Sequence, residues 1–135
     1  MIKGVKEKKK KMAYQKFEPG EQLADDTYNA VEKARDTGKI VTGTNEVTKT
    51  IERNEADLVV IAGNVSPEEI VMHLPALAEE KDVPYTFVPD KEELGIAAGV
   101  NVQAASIAVT STGNAEDDID NVQRKAQELL NAEEE

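Results

Sequence analysis

Seven residues, DLVVIAG at 57–63, restrict the fold of this chain more than any other segment. The run is almost continuously apolar, it ends in glycine, and it is far shorter than the ~18 residues of a membrane span. Such a run is typical of a β-strand that is buried on both faces. Burial of both faces requires a layer of structure on each side of the sheet.

Strand and helix patterns alternate along the rest of the chain. Short strands are predicted at 39–42, 57–63, 84–88 and 105–110. Apolar residues three or four apart predict helices at 21–37, from 44 or 45 to about 53, from 67 to beyond 77, at 91–98 and at 116–132. This order predicts an α/β protein, a three-layer α/β/α sandwich around a small mixed four-stranded sheet.

Local signals define the ends of two helices. SPEE at 66–69 predicts a third helix that is capped by Ser66 and begins at Pro67, and Pro75 is expected to bend it or to mark a tighter segment. Asp90 is predicted to cap the fourth helix, and the glycine at position 99 is predicted to end it.

The length of 135 residues suits one domain, which we expect at 14–132, between a basic tail at 1–13 and an acidic tail at 133–135. The lysine run of the basic tail repels itself and has no apolar face, so we expect disorder there. Two interpretations of this tail remain open. It binds RNA phosphate non-specifically, or Met12 is the natural start and the residues before it are an artefact of a misplaced start codon.

The charge of the chain is unevenly distributed. The net charge is -11, yet residues 1–11 hold six of the 16 basic residues and one of the 27 acidic ones. An acidic remainder argues against nucleic acid as a partner, because lysine and arginine supply most of that affinity. It equally suits a protein that works in high salt, where repulsion from phosphate is screened. Composition alone leaves both interpretations open.

Several classes of site are excluded or unsupported. The chain has no cysteine, which excludes disulfides, cysteine–zinc sites and thiol nucleophiles, and it has no signal-like apolar segment, so we expect a cytoplasmic protein. His73 is the only histidine and has no metal-ligand spacing, which favours a structural or surface role. No phosphate-binding loop or dinucleotide motif is present, and the carboxylates form surface clusters. We therefore predict no catalytic residue, metal site or cofactor, and no enzyme; a carboxylate hydrolase has no positioned motif.

The segment GTNEVTK at 43–49 is the strongest candidate binding site. It forms a turn before a helix, and a helix N-terminus exposes N–H groups that attract anions. Asn45 can donate and accept, Glu46 can accept from a guanine N–H edge, and Lys49 lies one turn further on the same face. The alternative is a plain helix cap, in which Thr44 or Asn45 closes the helix and Lys49 is solvated.

Three blocks, GTNEVTK, DLVVIAGNVSPEEIVMHLPALAEEKDVPY and KEELGIAAGV, resemble the archaeal large-subunit ribosomal protein seven-Ae family, the kink-turn RNA binders. The resemblance covers roughly residues 20–130 and implies an α/β/α sandwich, in agreement with the pattern above. It also implies that the asparagine, glutamate and lysine of the first block contact the tandem sheared G·A pairs of a kink-turn through the major groove. The RNA-binding positions implied in this block are Gly43, Thr44, Asn45, Glu46 and Lys49.

The resemblance implies a second RNA contact in the loop after GIAAG. Its apolar side chains would lie against the flipped-out nucleotide of the three-base bulge, which is a usual mode of RNA recognition. The loop positions are Val100, Asn101 and Val102, with Ala104 and Ala105 behind them.

The chain departs from the family pattern at Val41 and Thr42, where members often carry basic residues, and at Asn64, where they often carry an acid.

The function implied by the resemblance is RNA binding without catalysis. The protein would be a component of the large ribosomal subunit and a core protein of box C/D and H/ACA guide ribonucleoproteins, with ribonuclease P as a further candidate assembly. Its partners would be kink-turns in ribosomal and guide RNA and other ribonucleoprotein core proteins, with no membrane. The alternative is an acidic protein-interaction or small-ligand module of the same fold that does not bind RNA.

Overall fold

The structure is a computed structural model that describes residues 14–134. The predicted basic tail at 1–13 lies outside the described residues, as does Glu135. The elements are α1 (Gly20–Thr37), β1 (Lys39–Thr42), α2 (Thr44–Glu52), β2 (Leu58–Ala62), α3 (Leu74–Glu80), β3 (Tyr85–Val88), α4 (Lys91–Ala98), β4 (Ser106–Ser111) and α5 (Glu116–Glu134). Two short 3-10 turns lie at Glu68–Ile70 and Gly113–Ala115.

The four strands form one mixed sheet in the order β1-β4-β2-β3. β4 pairs antiparallel with both β1 and β2, whereas β2 and β3 are parallel. All five residues of β2 are buried, as the apolar run at 57–63 predicted. Each predicted strand is present, and its ends shift by no more than one residue.

Helices cover the sheet and give the predicted layered α/β architecture. α1 packs against α4 and α5, while α2 packs against α3 and against strands β1 and β4. The core includes an edge-to-face pair between Phe17 and Phe87, whose ring centroids are 5.1 Å apart. Within residues 14–134, every helix falls short of the length and apolarity that crossing a bilayer requires.

The ends of α4 follow the sequence signals. The Asp90 carboxylate accepts a hydrogen bond from the Glu92 N–H at 2.9 Å, which is the predicted N-cap. Gly99 ends the helix in the left-handed conformation, with φ of 76°. At the other end of the chain, α5 continues to Glu134, beyond the predicted end at 132.

The continuous third helix predicted from SPEE is wrong. Pro67 is extended, with ψ of 156°, so Ser66 caps no helix, and only the 3-10 turn Glu68–Ile70 follows it. The α-helix begins later, at Leu74, with Pro75 in its first turn. Proline has no N–H to continue an existing helix but is well tolerated in a first turn. Ile70, the last residue of the 3-10 turn, is 42% exposed.

Candidate nucleic-acid interface

The turn before α2 is built by Gly43. This residue is the N-cap of α2 with φ of 94° and ψ of 138°, and its carbonyl accepts the Val47 N–H at 2.9 Å. The prediction that Thr44 or Asn45 caps the helix is wrong, because Thr44 is already helical and no side chain caps this end. β1 runs into α2 through this single residue, and a positive φ there is cheap only for glycine.

The first turns of α2 expose three polar side chains to solvent. Asn45, Glu46 and Lys49 are all exposed, and the Lys49 Nζ lies 3.8 Å from the Glu46 Oε2. The Lys49 side chain is 54% exposed and the Glu46 side chain is 60% exposed. Because an exposed ion pair contributes only ~0–1 kcal/mol, both groups can exchange this contact for an external partner at little cost.

Ser106 joins this turn to the loop that precedes β4. The Gly43 N–H donates to the Ser106 carbonyl at 3.2 Å, and the Thr44 hydroxyl lies 3.2 Å from the Ser106 hydroxyl. Ser106 is fully buried and is the first residue of β4. Because β1 and β4 are antiparallel, the end of β1 lies beside the start of β4. The two predicted site segments, 43–49 and 100–102, therefore lie at the same end of the sheet.

The loop before β4 folds back onto α4. The Val100 N–H donates to the Gly95 carbonyl and the Ala104 N–H donates to the Lys91 carbonyl, both at 3.1 Å. A side chain at Gly95 would collide with the Val102 carbonyl, so glycine permits this close packing. Val100 is half-buried, whereas Asn101 and Val102 are exposed.

Two exposed apolar side chains flank a shallow cavity beside this loop. Val102 is 71% exposed and Ile96 is 67% exposed, and both line a cavity of about 270 Å³. Ile96 was not among the predicted site residues. The signal was present, because helical periodicity places the apolar Ile96 on the side of α4 opposite to Leu94 and Ala98, which are buried.

The segments that form this surface are poor in acidic residues, although the chain is strongly acidic. No acidic residue lies at 37–45, and residues 94–115 contain no charged side chain. Glu46 is therefore the main carboxylate in the two site segments. This pattern is readable in the sequence, but a net charge taken over the whole chain conceals it.

His73 connects helices α2 and α3. Its Nε2 lies 2.8 Å from the Thr48 hydroxyl, which links α2 to the start of α3. Within residues 14–134, no group of three or more His, Cys, Asp or Glu side chains is arranged to hold a metal ion.

A larger cavity of about 900 Å³ lies at the carboxyl ends of β2 and β3. Its lining includes no basic side chain and five carboxylates, which are Glu18, Glu21, Asp25, Asp90 and Glu93. Tyr28 lies in its wall, and its hydroxyl accepts the Asp90 N–H at 3.2 Å. Burial raises the pKa of Tyr28 to about 12, although the hydrogen bond from the Asp90 backbone lowers it. The negative charge of these carboxylates disfavours the binding of phosphate groups in this cavity.

Comparison with known proteins identifies a matching family and a similar solved structure. A sequence profile of the ribosomal protein L7Ae/L30e/S12e/Gadd45 family matches residues 25–119, a range that includes both site segments. Among solved structures, the chain is similar to the Giardia lamblia 15.5kD RNA binding protein, with 32% sequence identity and a TM-score of 0.79. The similarity covers 83% of this chain and 93% of that one, so it extends over most of both folds.

Proposed function

The chain belongs to the ribosomal protein L7Ae/L30e/S12e/Gadd45 family, and from this membership we propose that it binds RNA by recognising kink-turns and kink-loops. The observation that carries the proposal is the junction at Ser106, which holds the GTNEVTK turn beside an exposed apolar loop. The similar Giardia protein is described as RNA binding, which supports the class of ligand. In this proposal, residues 14–132 form a single RNA-binding domain.

The turn would read the G·A pairs of the kink-turn. The Glu46 carboxylate accepts from guanine N–H groups, Asn45 can pair in both directions, and Lys49 donates to guanine O6 or to a phosphate. The N–H groups of the first turn of α2 and the positive φ of Gly43 leave the backbone open to an RNA strand.

The loop would receive the flipped-out nucleotide of the bulge. An unstacked base needs an apolar surface, and Val100, Val102 and Ile96 provide one beside the polar side chain of Asn101. No residue at 94–115 is charged, and the one carboxylate that lines the cavity, Glu92, accepts a hydrogen bond from the Gln103 side chain at 3.3 Å.

The mechanism would be conformational capture. A free kink-turn is only partly bent, and a protein that binds the bent form alone shifts the population toward it. The protein would act by shaping RNA, without catalysis and with no resident cofactor. Large ribosomal subunits, box C/D and H/ACA guide ribonucleoproteins and ribonuclease P are the proposed cytoplasmic assemblies.

Binding of a kink-turn RNA and of a G·A-disrupted control tests the proposal. The native chain should discriminate between them, and Glu46→Gln should reduce that discrimination by about 1–3 kcal/mol, or roughly 5- to 150-fold in the Kd ratio. The ratio is the proper measurement, because removing a negative charge strengthens non-specific binding to both RNAs.

Glu52→Gln is the matched control, because Glu52 is an exposed carboxylate at the far end of the same helix. It should leave the ratio unchanged. Equal, weak binding of the native chain to both RNAs would contradict the proposed function.

A second candidate function is suggested by the acidic cavity of about 900 Å³. An acidic protein-interaction or small-ligand module would use its carboxylates for a basic partner and would not bind RNA. A pull-down that recovers protein partners insensitive to ribonuclease, with no associated RNA, would favour this alternative.

A further inference from the structure

Two hydrogen-bonded ties connect α1 to α4. The Tyr28 hydroxyl donates to the Asp90 carbonyl at 3.3 Å, at the start of α4, and the Arg35 Nη1 donates to the Ala97 carbonyl at 3.2 Å, at its end. Both ties join residues that are 62 positions apart in the sequence. The separation between Tyr28 and Arg35 therefore equals the separation between Asp90 and Ala97, which is about two helical turns. α1 and α4 run parallel and are fixed in register at both ends of α4.

The tie at Arg35 lies where the site loop, residues 99–103, begins. The Ala97 carbonyl is in the last turn of α4, where carbonyl groups have no partner within the helix. Arg35 also packs against Gly99, since a Cβ at Gly99 would lie 2.7 Å from the Arg35 Cδ. The opposite edge of the guanidinium is held by Asp36, with Nε and Nη2 each 2.9 Å from its Oδ1. A planar fork can hold both sides at once, which a lysine ammonium does not reproduce.

The loop takes its own position from α4. Its backbone hydrogen bonds end on the carbonyls of Lys91 and Gly95, and its exposed side chains project from that framework. A displacement of the last turn of α4 would therefore move Val100 and Val102 together. Arg35 contacts that turn directly and approaches the loop at Gly99.

We propose that Arg35 is a positioning residue for RNA recognition, which orients the loop at 99–103 to receive the flipped-out base of the bulge. This inference rests on the proposed function, because it concerns the same RNA surface. Arg35 acts through α4 and Gly99 and need not contact the base itself. Recognition of the bulge then depends on a side chain of α1 that lies outside all three blocks of the family resemblance.

Arg35→Met tests the inference with a kink-turn RNA and with the same RNA in which the flipped-out nucleotide is abasic. The native chain should bind the abasic RNA about fivefold more weakly or worse, since a stacked base contributes strongly to affinity. Arg35→Met should reduce this ratio below about twofold, because a misplaced loop gains little from the base. Its discrimination against G·A-disrupted RNA should persist, since the GTNEVTK turn is unchanged.

Arg124→Met is the matched control. It makes the same change in charge at an exposed residue of α5, whose guanidinium hydrogen-bonds Asn121 within the same helix. It should keep the native ratio. If Arg35→Met also keeps the native ratio, the inference is overturned, even when the native chain distinguishes kink-turn from G·A-disrupted RNA.

Amide hydrogen exchange provides a readout without RNA, so it separates failure of this inference from failure of the proposed function. Arg35→Met should accelerate exchange at Gly99, Val100 and Ala104 by about tenfold, while the amides of β2 keep their native rates. Unchanged exchange at the loop would overturn the inference.

If Arg35→Met unfolds the protein, Arg35→Lys replaces it. That variant keeps the positive charge but lacks the planar guanidinium. Its ratio of affinities for the intact and the abasic RNA should lie between the native value and twofold. A native ratio would again overturn the inference.

Discussion

At the scale of single residues, Gly43 determines how the polar side chains of α2 reach solvent. A positive φ of 94° turns the chain from β1 into α2 within one residue, and this places Asn45 and Glu46 in the exposed first turn. A Cβ at this position would meet nothing within 4 Å, so the requirement for glycine is conformational and not steric. The site therefore depends on a backbone angle as well as on its side chains.

Gly43→Ala should lower the free energy of unfolding by about 1–2 kcal/mol, because an L-residue is strained at this φ. It should also weaken kink-turn binding several-fold, since relief of the strain reorients the first turn of α2. Urea unfolding and RNA titration measure the two effects.

Gly20→Ala is the control for Gly43→Ala, because Gly20 also has a positive φ, of 79°, and open space around it. It begins α1 and belongs to neither proposed RNA-binding segment. Gly20→Ala should lose a similar amount of stability but keep the native affinity for RNA. Equal loss of affinity in both variants would show that strain at Gly43 has no specific effect on the site.

At the scale of secondary-structure elements, the register between α1 and α4 is the feature that orders the site loop. Tyr28 ties the start of α4 and Arg35 ties its end. The Tyr28 hydroxyl both accepts from the Asp90 N–H and donates to its carbonyl, so it is used most fully in its protonated form. The link between the two helices should therefore respond to pH at the alkaline end.

Native Tyr28 has its pKa raised to about 12 from the ordinary 10.0, chiefly by burial. The folded state keeps this proton longer than the unfolded state does. The stabilising contribution is therefore complete below about pH 10 and is lost as the pH rises toward 12. Urea unfolding between pH 8 and 12 should show a steeper loss of stability for the native chain than for Tyr28→Phe. Parallel pH profiles would contradict this prediction.

At the scale of the whole molecule, the distribution of charge explains how an acidic protein can present a surface to RNA. The net charge is -11, but the two site segments lie in stretches of the chain with few or no carboxylates. Lys39 and Lys49 are the basic residues within 37–49. Few phosphate contacts are then available, and the remaining charge opposes both folding and RNA approach at low salt.

Raising the KCl concentration from about 0.1 to 1 M should increase the thermal unfolding midpoint, because salt screens self-repulsion of the chain. The slope of log K for RNA against log salt should be shallow, about -2, if only two lysines neutralise phosphates. Lys49→Ala should reduce its magnitude by roughly 0.9, whereas Lys33→Ala on α1 should not change it. A steep slope in the native chain would mean that many more cations contact the RNA.

Local sequence pattern and tertiary structure decide different parts of this fold. The run DLVVIAG predicted the buried central strand, and Asp90 and Gly99 predicted the ends of α4, because burial periodicity and capping depend on neighbours in the sequence. The mixed sheet and the layered α/β fold, predicted from the order of elements, are confirmed. Two predictions were wrong, the cap at Thr44 or Asn45 and the continuous third helix. In both places two local signals competed, and the backbone angles of Gly43 and Pro67 decided where the helix begins.

The sequence by itself determined the order of the elements, the buried strand and the motif at 43–49, because each follows from residues close together in the chain. Only the tertiary structure decided that Ser106 joins this motif to the loop before β4, that Ile96 is exposed beside Val102, and that Arg35 holds the end of α4. These contacts join residues brought together by sheet pairing and helix packing. Their partners are selected by the whole fold, so no local spacing in the chain specifies them.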